Sequence, residues 1–265
     1  MHPLITLTTD FGIGGPFVGV MKGVILSLAP SARLVDITHQ IEPQNIAQAA
    51  WVVEAAYPWF PEKTVHLVVV DPGVGSQRRA IAVKNGTHTF VAPDNGVLTP
   101  VLQPGARVYE LNRKKYFRDP LSATFHGRDL FAPAAAWLAR GTPPSRMGPK
   151  ITAAVTLKMP QPRLNRGTLT GEVIYIDRFG NLITNISSGL LESAFPTGAG
   201  WKIKIAAKPV RQWVSHYSQC RPGDIGCVLN SWDKLEVFCR EGNAAQKLKC
   251  RVGSPVKITP TRSAA

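Results

Sequence analysis

The sequence predicts two domains: an α/β domain with a central, mostly parallel sheet, then a smaller all-β, barrel-like domain. Three observations support this. Residues 4–70 follow the order strand, helix, strand, helix, strand, which is typical of a parallel sheet covered by helices. Residues 141–166 are rich in proline, glycine and charge. After them, short β-like runs alternate with glycine, asparagine and proline, and no long helical period is present.

The first domain is predicted over residues 1–145. Strands are assigned where β-branched and apolar residues run together, and helices where apolar residues recur at helical spacing. The last helix is expected to begin at an N-cap, Asp129, with Pro133 in its first turn, where proline is tolerated. The predicted elements are strand 4–9, helix 17–29, strand 33–37, helix 44–57, strands 65–70, 80–84 and 88–92, and helix 129–140.

The second domain is predicted over residues 167–262, after a linker at 146–166. Segments rich in proline, glycine and charge are typical of domain boundaries. The short runs that follow indicate a small barrel or sandwich. The predicted strands are 168–176, 201–206, 226–229, 235–239 and 254–258.

The composition is that of a globular protein, with 265 residues, of which 44% are hydrophobic and 18% charged. No run approaches the roughly 20 apolar residues of a membrane span, and the opening MHPLITLTTDFG lacks the parts of a secretory leader. We therefore expect a soluble, cytoplasmic protein without a membrane partner. Cys220, Cys227, Cys239 and Cys250 form no CxxC pair, so we expect buried thiols and no metal site.

The chain is strongly basic, with a net charge of +14. Basic surfaces raise encounter rates with anions and nucleic acid. Trp201, Trp213 and Tyr217 lie near lysines and arginines, as in some nucleic-acid-binding modules. Core packing explains these aromatic residues equally well, and a solvated basic face explains the charge, so nucleic acid is the less favoured partner.

Two aspartates stand where predicted strands end. Asp10 follows the first strand in TTDFG, and Asp71 follows the third in DPGVG. Ligands of open α/β sheets bind beyond the carboxyl ends of the strands, and an aspartate there can accept two hydrogen bonds from a ribose diol. Taken alone, each aspartate is equally typical of a turn. Neither segment is a GxGxxG or Walker loop, so nucleotide phosphates are not indicated.

Two further polar clusters occupy predicted loops. The first is FHGRD at 125–129, and the second is DRFGN at 177–181. A single histidine such as His126 is more often structural than catalytic. The second cluster, taken alone, is a turn between two strands.

Together these clusters resemble the SAM hydroxide adenosyltransferase family, the adenosine-forming S-adenosylmethionine (SAM) hydrolases, which are related to SAM-dependent fluorinases and chlorinases. The resemblance covers nearly the whole chain, and the DPGVG…RR and FHGRD segments are its most specific parts. The matching segments are LTTDFG (7–12), VGVMKGVI (18–25), VDITHQI (35–41), VVDPGVGSQRR (69–79), APDNGVLT (92–99), TFHGRDLFAP (124–133), DRFGNLITNI (177–186) and NS in LNSWDKLEV (229–237).

The resemblance implies hydrolysis of SAM to adenosine and methionine, with a triad of Asp71, Arg78 and His126 that positions and activates water. Water would attack ribose C5′ in line with the departing sulfur. Asp71 or His126 would take the proton, and Arg78 would hold Asp71 ionised and in place. No cofactor or metal is implied, since SAM is the substrate.

The resemblance also implies substrate contacts and an assembly. Asp10 would bind the ribose hydroxyls, and Ser231 would lie near the methionine carboxylate. Asp177, Phe179 and Asn181 would hold adenine or the methionine end. The family buries SAM between the first domain of one subunit and the second domain of its neighbour, so a homotrimer with interfacial sites is expected.

Two positions depart from the family pattern. Gly15 stands where members usually carry an aspartate that contacts the methionine amine, and Trp232 stands where halogenating relatives carry an arginine for the carboxylate. Two alternatives therefore accompany the hydrolase. One is a SAM-dependent halogenase, although halogenases lack the triad. The other is a SAM or adenosine sensor without turnover, which the glycine at position 15 favours.

Overall fold

The computed structural model describes residues 2–195 and 201–260, which form two compact units divided between Lys158 and Met159. The division falls inside the segment 146–166 that the sequence marks as a linker. That segment is partly ordered into short strands at its two ends. Residues 261 and 262, the end of the predicted second domain, lie outside the described residues. Within the described part of the chain, no helix has the length and apolar character to cross a membrane.

The first unit is an α/β domain, as predicted, built on one seven-stranded sheet. The strand order is β2-β1-β3-β5-β4-β6-β7, in which the four strands from β2 to β5 are parallel and the rest pair antiparallel. The sequence did not predict β6 or β7. The strands are β1 (Leu4–Thr9), β2 (Arg33–Thr38), β3 (Val65–Val69), β4 (Ala80–Asn85), β5 (His88–Pro93), β6 (Arg107–Glu110) and β7 (Lys150–Ile151).

Helices cover this sheet. They are α1 (Phe17–Leu28), α2 (Ile46–Ala56), α3 (Ala132–Ala139) and the single turn α4 (Pro144–Met147). Asn45 caps α2 by accepting a hydrogen bond from the Gln48 amide over 2.9 Å. Met21 and Ile25 of α1 pack with Phe131 and with Leu67 of β3 in the core. Because β3 is buried along its whole length, its apolar run VHLVV reads as continuous rather than alternating.

The predicted helix 129–140 is wrong at its start. A π-helical turn occupies Gly127–Phe131, and α3 begins only after it, with Pro133 in its first turn. Asp129 is therefore no N-cap. Its buried carboxylate accepts from Arg128 Nε over 2.6 Å and from the Ser122 amide over 2.9 Å. An ion pair competes successfully with a cap here, because a buried charge requires a partner.

The second unit is the predicted barrel-like sheet, with strand order β12-β11-β16-β9-β10-β15-β14-β13 and β8 on the side of β9. The two ends of this order, β12 and β13, are separated by one residue in the chain, so the sheet nearly closes on itself. Trp201 and Trp213 bring their ring centroids to 4.8 Å near this seam. The elements are β8 (Arg163–Asn165), β9 (Thr168–Ile176), β10 (Leu182–Ser187), α5 (Ser188–Ala194), β11 (Trp201–Ile205), β12 (Lys208–Val210), β13 (Gln212–Trp213), β14 (Ile225–Leu229), β15 (Lys234–Cys239), α6 (Ala244–Leu248) and β16 (Pro255–Pro260).

The four cysteines are buried free thiols, as predicted. They lie in the second unit, where Cys227, Cys239 and Cys250 belong to its core. Burial raises the pKa of Cys227 to about 12, so this thiol stays protonated and unreactive at neutral pH.

Candidate functional site

The carboxyl ends of β1 and β3 lie side by side at one edge of the first sheet. The two strands are parallel, and Thr9 is in register with Val69. Asp10 directly follows β1, and Asp71 follows β3 after one residue. The structure therefore places both aspartates at the edge where open α/β sheets bind ligands.

Asp71 and Arg78 form a two-point ion pair within the loop that follows β3. Arg78 Nε donates to Asp71 Oδ1 over 2.9 Å, and Nη2 donates to Oδ2 over 2.5 Å. Gly75, with a left-handed φ of +78°, allows the loop to turn back and bring the two residues together. Both side chains are largely buried, and the guanidinium lies 5.1 Å from the Phe131 ring centroid. The shielded, bidentate geometry fixes the carboxylate firmly.

His126 contacts the same guanidinium from the other side. Its Nδ1 lies 2.7 Å from Arg78 Nη2. Because a guanidinium has donors only, Nδ1 accepts this bond, and the proton of the neutral ring is on Nε2. Burial, together with the charge of Arg78, lowers the pKa of His126 below its ordinary 6.5, although Asp71 and Asp129 oppose the shift. Arg78 thus links the carboxylate to a neutral imidazole of defined tautomer.

A cavity of about 200 Å³ opens beside Asp71 and His126. Its wall is otherwise mainly apolar. Phe11, Phe17 and Phe125 pack on one another there, with ring centroids 5.3 to 6.0 Å apart. A carboxylate and an imidazole that face an apolar cavity can hold a water molecule away from bulk solvent. The remaining lining residues are Val69, Val74, Thr124 and Gly127.

Asp10 is held from the neighbouring segment 39–44. Asp10 Oδ2 accepts a hydrogen bond from the Gln44 amide over 2.8 Å, and Gln44 adopts a left-handed φ of +65°. The buried His39 places its Nδ1 2.9 Å from Thr9 Oγ1, and its carbonyl accepts from the Gly12 amide over 2.7 Å. These bonds fix the backbone on both sides of Asp10.

In the second unit, Asp177, Phe179 and Asn181 form the turn between β9 and β10. Asp177 Oδ1 accepts from the amides of Phe179 and Asn181 over 2.9 and 2.8 Å, and Oδ2 accepts from Asn181 Nδ2 over 2.9 Å. The aspartate thus organises its own turn, as these residues alone indicated. Phe179 at the tip is 75% exposed. An aromatic ring held out by a fixed turn can stack on a planar ligand.

This turn borders a cavity of about 560 Å³, large enough for a nucleoside. Three of its lining residues, Asp177, Phe179 and Asn181, are substrate contacts predicted from the sequence, whereas none of the others is predicted to belong to a SAM site. No local motif marks the missed residues, since they come from two separate segments, 217–218 and 238–242. They are Tyr217, Ser218, Phe238, Cys239, Arg240, Glu241 and Gly242.

A buried carboxylate, Glu236, connects this cavity to the turn that carries Ser231. Glu236 is 3% exposed and accepts from the Tyr217 hydroxyl over 2.9 Å and from Asn230 Nδ2 over 3.0 Å. Burial raises the pKa of Glu236, and burial with the nearby carboxylate raises the pKa of Tyr217 to about 12. Asn230 Oδ1 in turn accepts from the Trp232 amide over 2.9 Å. Glu236 therefore positions a wall of the cavity and the Ser231 turn together.

Ser231 itself is exposed in the turn between β14 and β15 and is not among the residues that line the cavity. Trp232, one of the two departures, packs on Tyr175 with ring centroids 5.2 Å apart. Gly15, the other, is exposed in the turn before α1. The structure thus brings Asp71, Arg78 and His126 into contact in the first unit, and Asp177, Phe179 and Asn181 into one turn in the second. Asp10 and Ser231 stand apart from these two clusters.

The sequence profile of the SAM hydroxide adenosyltransferase N-terminal domain matches residues 5–148, and that of the C-terminal domain matches residues 171–257. The chain belongs to this family. The (R)-S-adenosyl-L-methionine hydrolase of Thermus thermophilus is 38% identical to it over 97% of this chain and 100% of the relative. The enzyme of the same name from Salinispora tropica is 36% identical, over 97% and 98% of the two chains.

Among solved structures, that of an uncharacterized conserved protein from Thermotoga maritima superposes on this chain with a TM-score of 0.91 at 37% identity. The match covers 96% of this chain and 99% of the other. The fluorinase of Actinopolyspora mzabensis is more distant, at 29% identity over 97% of both chains. The two-domain architecture is therefore that of the family, and the hydrolases are more similar to this member than that fluorinase is.

Proposed function

We propose that the protein hydrolyses SAM to adenosine and L-methionine. The observation that carries the proposal is the pairing of Asp71 and His126 through Arg78 at the mouth of an apolar cavity. The hydrolase names of the relatives from Thermus and Salinispora support the same activity. The proposed catalytic residues are Asp71, Arg78 and His126.

The tautomer of His126 decides which of Asp71 and His126 can accept the water proton. Since Nε2 of His126 carries the proton, it can donate to the oxygen of a water molecule but cannot accept from it. Asp71 is then the acceptor of the water proton. The water oxygen forms a bond to ribose C5′ as the C5′–sulfur bond breaks, and the bonding electrons leave with sulfur. Methionine departs as a neutral thioether, adenosine forms, and one proton passes to Asp71 and then to solvent.

The leaving group explains why two side chains suffice. A sulfonium gives a neutral thioether, so no acid is needed to protonate the leaving atom. The task of the protein is to orient the water in line and to exclude competing solvent. We propose accordingly that no metal or cofactor takes part, and full activity of protein treated with a chelator would support this.

The substrate-binding residues are proposed from both clusters. Asp10 would accept from the ribose hydroxyls at the sheet edge next to Asp71. Phe179 would stack on adenine, while Asp177 and Asn181 shape the turn that presents it. Ser231 would bind the methionine end from the turn that Glu236 braces.

The test is to incubate the purified protein with SAM and to follow nucleosides and methionine by chromatography. The (R) and (S) sulfonium epimers are supplied separately, since the relatives are named for the (R) form. Adenosine from the (R) epimer, in equal amount with or without fluoride or chloride, supports the hydrolase. A halogenated nucleoside would make the protein a halogenase, and tight binding without any product would make it a sensor.

We also propose a homotrimer in which the first unit of one protomer and the second unit of its neighbour share each site. The exposed side chains of Ile13, Phe17 and Phe179, at 78%, 47% and 75%, supply apolar surface that such an interface would cover. Analytical ultracentrifugation gives the assembly. Asp71→Asn and Phe179→Ala chains are mixed in equal amounts and refolded together. About a quarter of the shared sites should then be intact, because such a site needs the first unit of a Phe179→Ala chain and the second unit of an Asp71→Asn chain. No restoration would place each site within one chain.

A cytoplasmic location is the last part of the proposal. The four buried free thiols fit a reducing compartment, where cysteines persist without disulfides. Fractionation of the source cells with an antibody to the chain would test it, and recovery outside the cytoplasm would contradict it.

A further inference from the structure

A second cavity in the first unit lies at the opposite end of the sheet from Asp71. It has a volume of about 460 Å³ and is bordered by the first residue of β3, the turn before β5 and the end of α3. Its lining includes three cationic side chains, Lys63, Lys84 and Arg107, and none of the described lining residues is a carboxylate. A concave site of this size with convergent cations is built like a site for a small anion.

Strand register places two of these cations directly opposite each other. Lys84 of β4 pairs with Arg107 of β6 on one side and with Thr89 of β5 on the other. Opposite residues of antiparallel strands point to the same face, about 4.5–5.5 Å apart at Cβ, and like charges there destabilise the pair. Within residues 2–195 and 201–260, neither side chain forms an ion pair with a carboxylate. An anion from outside the chain would neutralise the repulsion.

The third cation comes from a strained position. Lys63 adopts a left-handed φ of +66°, and its amide donates to the Thr87 carbonyl over 3.2 Å. This bond ties the segment before β3 to the turn between β4 and β5, so the backbone of Lys63 is fixed at the edge of the cavity. Hydroxyl donors complete the lining from the other segments, namely Thr87, Thr89, Tyr109, Thr142 and Ser145.

A second pair of like charges, in the second unit, provides a comparison for the pair of Lys84 and Arg107. Lys204 of β11 lies opposite Lys257 of β16, and both are exposed. Water screens their repulsion, and they line none of the cavities described above. In the pair of Lys84 and Arg107, Arg107 is exposed as well, but Lys84 is half-buried, and both line a cavity, where solvent screens less.

We propose that this cavity binds a small molecule through a chain of two or more phosphate groups. Three cations match the charge of a di- or triphosphate, and the hydroxyls supply further donors to its oxygens. The proposal concerns a site away from Asp71 and stands whether or not the chain hydrolyses SAM. The phosphates can belong to free polyphosphate or to a nucleotide, and the two sources share this chemistry.

The test is calorimetric titration of the whole protein at fixed ionic strength with four probes: sulfate, inorganic pyrophosphate, tripolyphosphate and ATP. Pyrophosphate or tripolyphosphate should bind, with sulfate weaker by about tenfold or more. Equal affinity for tripolyphosphate and ATP means that phosphates alone are recognised. Tighter binding of ATP adds a nucleoside contact to the proposed site.

Matched charge variants decide whether the cavity is responsible. The double variant Lys84→Met/Arg107→Met removes two charges there, and Lys204→Met/Lys257→Met removes two from the exposed pair. The first should weaken polyphosphate binding by about a hundredfold and the second by less than about threefold. Lys84→Arg, which keeps the charge, checks that a loss does not come from misfolding. Equal losses in both double variants, or no binding by the unaltered protein, would overturn the proposal. A short RNA is the last probe. If it binds more tightly than the polyphosphates, and if both double variants weaken its binding equally, the proposal is overturned in favour of diffuse nucleic-acid contact.

Discussion

Gly75 lies so close to Ala123 that a Cβ on Gly75 would be 2.5 Å from the Ala123 carbonyl oxygen. The loop that carries Asp71 and Arg78 thus packs by its backbone against the segment that leads to His126. Arg78 and His126 are 48 residues apart along the chain. The contact between Gly75 and Ala123 sets the distance between the loop of Asp71 and Arg78 and the segment of His126.

Gly75→Ala should therefore damage both stability and turnover, because backbone cannot move aside as a side chain can. Gly86→Ala is the control: Gly86 also has a positive φ, +54°, but nothing lies within 4 Å of an added Cβ. The control should lose about 1–2 kcal/mol of unfolding free energy from the φ strain alone. Gly75→Ala should lose more and should also lower kcat. Denaturant unfolding and SAM turnover measure the two effects, and equal behaviour of the two variants would contradict the contact.

Asp71→Asn should lower kcat for SAM hydrolysis by about 10²–10⁴-fold, because the amide cannot accept the water proton as a carboxylate does. Asp94 offers a matched control. It is a buried carboxylate that pairs with Arg79 over 2.5 Å and accepts from the Val155 amide over 2.8 Å. Asp94→Asn should lower the melting temperature and leave kcat of the folded fraction nearly unchanged. Substantial turnover by Asp71→Asn would remove Asp71 as the proton acceptor.

Turnover should fall on the acid side as His126 becomes protonated. The protonated ring would present a donor at Nδ1 to the donors of Arg78, so the bond between them would be lost. Because the pKa of His126 is lowered, kcat/KM should be constant near neutral pH and decline only below 6.5. A profile of kcat/KM from pH 4 to 9 tests this. Activity that increases as the pH falls through this range would contradict a neutral imidazole.

Phe179→Ala should raise KM for SAM with little change in stability, since the ring is 75% exposed and packs little against the rest of its unit. Stacking on a base is worth about 1–3 kcal/mol, which corresponds to roughly 5- to 150-fold in KM. Trp59→Ala removes a similarly exposed ring, 78%, from the first unit and should change neither quantity. A melting temperature that falls with Phe179→Ala, at constant KM, would assign the ring a structural role.

His66 should make the fold sensitive to acid. It is 1% exposed, with Nδ1 2.8 Å from Thr6 Oγ1 and Nε2 3.1 Å from His88 Nδ1. Burial and the charge of His88 lower the pKa of His66 to about 3. Between pH 6.5 and 3 the unfolded chain binds a proton that the folded chain does not, so stability falls as the pH falls. The slope from this group is at most about 1.4 kcal/mol per pH unit. Urea unfolding of His66→Gln should show a flatter dependence over this range, and an unchanged slope would contradict the assignment.

The sequence predicts the parallel core of the first unit well because α1 has clear helical periodicity and β1 and β3 are short apolar, β-branched runs. A proline or glycine follows each of the three within a few residues. The sequence misses β6 and β7, since these short strands depend on their partners, β4 for β6 and β6 for β7, rather than on their own residues. The N-cap prediction at Asp129 fails for a different reason: the aspartate can cap a helix or pair with the adjacent Arg128, and the sequence favours neither.

The candidate site divides in the same way. Asp71 and Arg78 lie in one short segment, and its glycines predict the tight turn that brings them together. The hydrogen bond from Tyr217 to Glu236 joins residues that are 19 positions apart, so no local motif predicts it. The polyphosphate cavity likewise depends on the register of β4 with β6, which only the folded sheet displays.

The π-helical turn at Gly127–Phe131 closes with the Ala132 amide bonded to the Gly127 carbonyl, five residues back instead of four. This turn contains one residue more than an α-helix would use, and His126 stands immediately before it. Deletion of a single residue there would convert the turn to regular helix. It would also rotate the segment before the turn, including His126, by about 100° around the axis of α3. The imidazole would leave Arg78 while the hydrophobic face of α3 stayed in place. A change of one residue in the length of this turn would therefore be enough to separate His126 from Arg78 without altering α3.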